Sequence, residues 1–173
     1  MSDLFVKMMS KNVKFNIKIK NMSGFELPNY SKPFDSGIDL RSIHMAHIKP
    51  GEITPINTGL YIELPSPEET YPFVMEMQIR PRSGMAAKHG ITVVNAPGTI
   101  DNQYRGEIIV LLTKLKYENR PDVNNQYLIN VGDRIAQAVL VPVFSANVIN
   151  ISQVDDVNKT ERDADGFGST GTK

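Results

Sequence analysis

The chain has 173 residues, 40% hydrophobic and 22% charged, with 19 Lys+Arg against 19 Asp+Glu and no cysteine. That length suits one domain with a sizeable core, and a net charge of zero argues against a general nucleic-acid or membrane-surface binder, which needs a basic excess. Disulfides and thiolate zinc sites are excluded, and neither a membrane span nor a signal-peptide core is evident, so the expectation is a soluble, intracellular, cytoplasmic protein.

In chain order, the first element is a strand. In "VKFNIKIK", Val13, Phe15, Ile17 and Ile19 alternate with Lys14, Asn16, Lys18 and Lys20, the period of two of a half-buried strand with a solvated lysine face. "SGIDLRS" over 36–42 places a turn ahead of another strand. "LYIEL" (60–64) and "MEMQI" (75–79) alternate in the same way. Between them the polar stretch 66–71 predicts a surface loop. "RPRSGMAAKHG" (80–90) predicts the one helix, over 84–89, with Ser83 as its cap and Gly90 as a left-handed stop. "NAPGTIDNQYRGE" (95–107) predicts a hairpin with a decorated loop. "IIVLL" (108–112) and "AVLVPVF" (138–144) are apolar on both faces, the pattern of strands buried between two layers. Residues 116–126 predict a second surface loop, and "GDRIAQ" (132–137) a turn. Many short strands punctuated by Pro and Gly point to an all-β sandwich or barrel.

Chemistry concentrates in five of these stretches. At Ser83 a helix start offers backbone N–H groups and a hydroxyl beside the guanidinium of Arg82, a combination suited to phosphate. The C-terminal "ERDADGFGSTG" adds Arg162 and small residues whose backbone can approach an anion. It lacks the lysine, the spacing and the following helix of a P-loop. Asp39 and Asp101 are carboxylates with apolar neighbours close to glycines, and Tyr104 follows Asp101. Together these features suit a phosphorylated, ring-bearing ligand.

In this order, "SGIDLRS", "PRSGMA", "GTIDNQYRG", "GDRIAQ" and "ERDADGFGSTG" resemble the five signature motifs of the trimeric dUTPases, the deoxyuridine triphosphate nucleotidohydrolases, across residues 36–171. The resemblance implies a jelly-roll-like β-barrel, the dUTPase-like β-clip, over 1–160. A mobile C-terminal arm over 161–173 would close over the active site. It implies hydrolysis of dUTP to dUMP and pyrophosphate with Mg²⁺, in a homotrimer whose subunits share their sites.

Residue by residue, the resemblance makes Asp101 the catalytic aspartate that activates the attacking water. Asn95, Gly98, Thr99 and Ile100 would read uracil, Tyr104 would pack beneath the deoxyribose, and Phe167 would stack over the base. Arg82, Ser83, Gly84, Gln137, Arg162, Gly168, Ser169 and Thr170 would bind phosphates, and Asp39 would face the metal through an intervening water. Asp133 and Arg134 would hold their turn and a subunit contact, and His89 would be structural.

Departures from the family pattern are Gln103 where an acid is usual, Asp163 where glycine is frequent, Ser36 in place of alanine, and Pro97 within the uracil loop. The alternatives are a dCTP deaminase-like enzyme of the same fold, or a catalytically weak dUTP-binding regulatory protein. The first needs a glutamate placed for deamination. The second is opposed by the presence of Asp101, Tyr104 and Phe167.

Overall fold

The computed structural model describes residues 14–116, 125–161 and 163. Its strands are β1 (Lys18–Asn21), β2 (Ile38–Arg41), β3 (Ala46–Ile48), β4 (Ile53–Glu63), β5 (Phe73–Arg80), β6 (Ile91–Val93), β7 (Gly98–Ile100), β8 (Glu107–Lys114), β9 (Tyr127–Ile129) and β10 (Arg134–Phe144). A single turn, α1 (Pro67–Thr70), and a short helix, α2 (Ser83–His89), lie between strands. Two four-stranded sheets, ordered β1-β4-β8-β6 and β2-β10-β5-β7, are joined by a two-stranded β3-β9 pair. Every strand pairing is antiparallel, which gives the jelly-roll-like architecture expected of the sequence.

Alternation builds the core. Ile108, Val110 and Leu112 of β8 point inward with Ile56, Leu60 and Ile62 of β4. They meet Met77 and Ile79 of β5 and Ile135, Ala136 and Ala138 of β10 in one apolar cluster. The double-faced burial expected for 108–112 does not hold, because Ile109 is 42% exposed. Pro142 is also exposed. It lies where β10 has β5 as its partner but has run past β2, a stretch with one open edge, where proline is tolerated in a sheet.

Three further expectations are corrected. The first strand begins at Lys18 rather than at residue 13, and it pairs Lys18 with Glu63. Lys18 Nζ lies 2.6 Å from Glu63 Oε1, and that hydrogen bond, with the lysine charge behind it, holds the Glu63 carboxyl below its ordinary range. The loop at 66–71 contains the turn α1, anchored by buried Thr70, whose hydroxyl donates to the Phe73 carbonyl at 2.8 Å. Helix α2 starts at Ser83 itself. Arg82 occupies the cap position, and no side chain caps the helix. Gly90 does end it in the left-handed conformation, at φ 65°. Of the second loop, residues 117–124 lie outside the described residues.

Among the described residues no helix is long and apolar enough to cross a membrane. After Phe144 the chain makes a 3-10 turn, Ala146–Val148, and the described residues from 149 to 161 form no helix or strand.

Candidate active site

The sheet β2-β10-β5-β7 sets the geometry. Asp39 of β2 pairs with Gln137 of β10, which pairs in turn with Arg80 of β5. Because directly paired residues share a face, Asp39 and Gln137 project from the same side, next to where β5 leads through Pro81 into Arg82. Asp39 Oδ1 accepts from Arg82 Nε at 2.9 Å, and Oδ2 accepts from Arg134 Nη1 at 3.2 Å. Arg82 Nη1 also donates to the Arg134 carbonyl at 3.0 Å. Gln137 Nε2 donates to the Pro81 carbonyl at 2.9 Å, which fixes the chain one residue ahead of Arg82. Gly37 leaves room for this side chain, since a Cβ on it would come within 2.7 Å of Gln137 Oε1 and displace the amide.

Arg82, Gly84, Lys88, Asp133 and Arg134 border a cleft of about 390 Å³, with the tilted ring pair His89 and Tyr127 in its wall. Ser83 and Gly84 are exposed at the start of α2. Asp133 Oδ2 accepts from the Asn130 backbone N–H at 2.8 Å, a bond that holds the turn. Arg82, Lys88 and Arg134 outnumber Asp133 and the Asp39 that pairs with both arginines, a modest positive excess that favours an anion.

A second group of residues gathers around β7. The hairpin expected at 95–107 is not paired with itself. Instead β6 joins β8 in one sheet and β7 joins β5 in the other. The chain therefore crosses between sheets at 94–97, and β7 becomes an edge strand. An antiparallel edge strand directs the N–H and C=O of alternate residues away from its neighbour, which leaves backbone groups free to pair with a planar base. Asn95 turns back over this strand, its Nδ2 lying 3.2 Å from where a Gly98 Cβ would sit.

Asp101 is exposed just past β7, in a turn closed by the Tyr104 N–H to the Asp101 carbonyl at 3.0 Å. Tyr104 remains 41% exposed, with its hydroxyl donating to the Glu107 carbonyl at 2.9 Å. A side chain on Gly106 would collide with the Tyr104 ring, so glycine allows that ring to fold back.

The motif reading missed Asn102. It is buried, and its Nδ2 donates to the Pro65 and Met75 carbonyls at 2.8 and 3.2 Å, stapling the Asp101 loop to the barrel. Its only sequence signal was a polar residue between Asp101 and Tyr104. Lys88 and Tyr127 were missed as well, because neither belongs to a phosphate-like pattern.

The two groups stand apart within one chain. Ile100 pairs with Met77, and five residues further along β5 and its extension lies Arg82. Asp101 lies one residue further the other way, so six steps of extended chain separate it from Arg82, about 20 Å at the rise of a strand. Arg162, Phe167, Gly168, Ser169 and Thr170 lie outside the described residues. Asp163 is described and adopts a positive φ of 43°. Glycine is at ease in that conformation and aspartate tolerates it.

The family model for dUTPase matches residues 23–171. The chain belongs to the dUTPase family. A deoxyuridine 5'-triphosphate nucleotidohydrolase of Nautilia profundicola is 46% identical to it over 159 residues, covering 92% of this chain and 99% of that protein. Another, of Alkaliphilus metalliredigens, is 44% identical over 160 residues with the same coverage. Among solved structures, the dUTPase of Staphylococcus bacteriophage 80alpha with dUpNHpp superposes with a TM-score of 0.70 at 24% identity, over 91% of this chain and 99% of that one. That likeness establishes the dUTPase fold. A variant dUTPase of phage phi11 of S. aureus, at 20% identity, TM-score 0.62 and coverage of 82% and 97%, is described as coordinating a structural Mg(II) ion.

Proposed function

We propose that this chain hydrolyses dUTP to dUMP and pyrophosphate, so keeping uracil out of DNA and supplying dUMP for thymidylate synthesis. The observation that carries the reading is the arginine-bordered anion cleft in a chain of this family, on the same sheet as an exposed aspartate and a free strand edge. Asp101 accepts the proton of a water whose oxygen attacks the α-phosphorus. The bond from that phosphorus to the α,β-bridging oxygen breaks, and pyrophosphate leaves with the electron pair. Proton removal by a positioned carboxylate accounts for about 10²–10⁴ in rate, and the rest comes from aligning the triphosphate and countering its charge.

Base recognition falls to the edge strand. The free backbone groups around Gly98, Thr99 and Ile100, with Asn95, present a donor and acceptor pattern to uracil. Cytosine inverts that pattern, so each unmade buried bond costs about 1–3 kcal/mol. Tyr104 packs beneath the sugar and excludes a 2′-hydroxyl. Arg82, Ser83, Gly84 and Gln137 act toward the phosphates. Arg162, Gly168, Ser169 and Thr170 join them from an arm whose Phe167 covers the base.

A general base must come within about 3 Å of the water it activates. The separation of about 20 Å between Asp101 and Arg82 supports a site completed by a second copy of the chain, in keeping with a homotrimer that shares its sites. Mg²⁺ fits as a companion of the triphosphate rather than as a caged ion. Among the described residues no three His, Cys, Asp or Glu side chains cluster to hold a metal, and Mg²⁺ in phosphate sites commonly keeps several waters. When bound, it neutralises charge on the triphosphate. No role for nucleic acid or membrane is proposed.

The deaminase alternative is disfavoured by one observation. Glu107, the glutamate of the "YRGE" stretch, has both carboxylate oxygens engaged by β4, one by Asn57 Nδ2 and the other by the Gly59 N–H, each at 2.8 Å. It is thereby turned into the framework. The deciding experiment measures pyrophosphate release from dUTP, UTP, dTTP and dCTP, with ammonia assayed in parallel. The expected result is rapid release from dUTP alone, without ammonia. Ammonia from dCTP, or equal turnover of UTP, would overturn the reading.

A further inference from the structure

We propose that Asp39 is a positioning residue for phosphate recognition, holding Arg82 and Arg134 as a preformed guanidinium pair instead of receiving a metal-bound water. The inference deepens the proposed reaction and rests on the cleft already described. Three observations carry it.

Both carboxylate oxygens of Asp39 are engaged, Oδ1 by Arg82 Nε at 2.9 Å and Oδ2 by Arg134 Nη1 at 3.2 Å. Arg82 is further tied by Nη1 to the Arg134 carbonyl at 3.0 Å. Its remaining terminal nitrogen, Nη2, has no hydrogen-bond partner among the described residues, which leaves one edge of the fork for a ligand.

The carboxylate also stands outside the cleft that Arg82, Gly84 and Lys88 border. Asp39 lines a neighbouring cleft of about 450 Å³ instead, together with Arg41 and the segment around Phe25 and Tyr30. Arg134 borders both clefts, so the carboxylate reaches the first cleft through the arginines that it pairs with.

Finally, the surroundings oppose a cation. A carboxylate flanked by two guanidinium groups has its charge already countered and makes a poor acceptor for the water of a hydrated Mg²⁺. An arginine side chain held along two directions has lost its rotamer freedom before the ligand arrives, which lowers the cost of binding. Side-chain exposures of 30% for Arg82 and 31% for Asp39 place the pair where solvent screens it only in part.

The test uses the full chain and two readouts. Binding of inorganic tripolyphosphate without metal is measured by calorimetry, and dUTP kinetics are measured across a Mg²⁺ titration. Asp39→Asn is expected to weaken tripolyphosphate binding by about 10-fold or more, the range for hydrogen bonds to charged groups. KM for dUTP should rise by a similar factor while the Mg²⁺ half-saturation stays unchanged. In an Arg82→Gln/Arg134→Gln background, Asp39→Asn should add less than about 2-fold, since residues acting through one another are not additive. Unchanged tripolyphosphate binding, a shifted Mg²⁺ requirement, or a full effect in the arginine-less background would each overturn the proposal.

Should Asp39→Asn fail to fold, Arg82→Lys carries the test. It keeps the charge but cannot donate in two directions from a planar fork, so tripolyphosphate binding must still fall by about 5-fold or more, and wild-type binding overturns the proposal. A wild-type chain that binds tripolyphosphate but releases no pyrophosphate from dUTP would remove the proposed reaction while leaving the clamp open to the binding test.

Discussion

Glu107 and Asn57 lock two strands together across a defect. Asn57 Nδ2 donates to Glu107 Oε2, and the Gly59 N–H donates to Oε1, each at 2.8 Å. The β4–β8 register shifts between Asn57 and Tyr61, so the carboxylate satisfies the Gly59 N–H within the disrupted ladder and ties the Asn57 side chain beside it. Gly59 sits at φ 68°, and a Cβ there would come within 2.8 Å of the Ser23 backbone, so the bulge also needs glycine. Replacing Glu107 by Gln removes the charge and sets an amide donor against these N–H groups. The expected loss of stability is about 1–3 kcal/mol, read from urea unfolding, with dUTP turnover retained at temperatures where the variant is folded. Normal stability with abolished turnover would instead give Glu107 a chemical role.

Asp101→Asn separates binding from chemistry. The side chain is exposed at the end of β7, and its loop is held by buried Asn102 through the Pro65 and Met75 carbonyls, so the amide should fit without rearrangement. An amide cannot take the proton of the attacking water. We expect kcat to fall by about 10²–10⁴, while the affinity for a non-hydrolysable dUTP analogue stays within a few-fold. A kcat near that of the wild type would sink the assignment of Asp101 as base.

The barrel was legible in the sequence, and so were the short motifs proposed to carry its chemistry, for different physical reasons. Alternation at 75–79 and 60–64 survives because each strand buries one face against the other sheet, so the period of two is imposed by the core. The burial expected on both faces of 108–112 failed because periodicity within an apolar run cannot say which side faces solvent, and Ile109 is turned outward. The site motifs were visible as local composition. Their relations were not, because Asp39 and Arg82 are brought together by pairing β2 and β5 with β10, a contact across 43 residues of chain. The hairpin at 95–107 was misjudged for a related reason. Gly and Pro announce a turn, but which strand each arm joins is settled by long-range pairing.

Lys114 tests how α2 is fixed. It is 5% exposed, and its Nζ donates to the His89 carbonyl at 2.7 Å, at the C-terminal end of the helix. A cation there meets the negative end of the helix dipole and satisfies an otherwise orphaned carbonyl. Lys114→Met keeps most of the volume but leaves that carbonyl unpaired, at an expected cost of about 1–3 kcal/mol in unfolding free energy. Because the same helix carries Ser83 and Gly84 at its other end, tripolyphosphate binding should weaken as well. A variant of unchanged stability and affinity would show that packing of Met85 alone holds the helix.

The separation of Asp101 from Arg82 leads to a complementation experiment. With about 20 Å between them along the strand direction, a shared site predicts that the triphosphate gripped by Arg82 of one chain presents its α-phosphorus to Asp101 of another. The two defects should then reside in different subunits of one site. Asp101→Asn and Arg82→Ala chains, each nearly inactive alone, are unfolded together in equal amounts and refolded as mixed oligomers. If each site draws Arg82 from one subunit and Asp101 from another, random assembly gives both intact residues with probability one half times one half, so roughly a quarter of wild-type sites should recover in a closed cyclic assembly. Sites contained within single chains would recover nothing, because every chain in the mixture lacks one of the two groups. Recovery near a quarter, lost again when the subunits are refolded separately and assayed before exchange, would establish that the catalytic aspartate and the phosphate-binding arginine meet only across a subunit boundary.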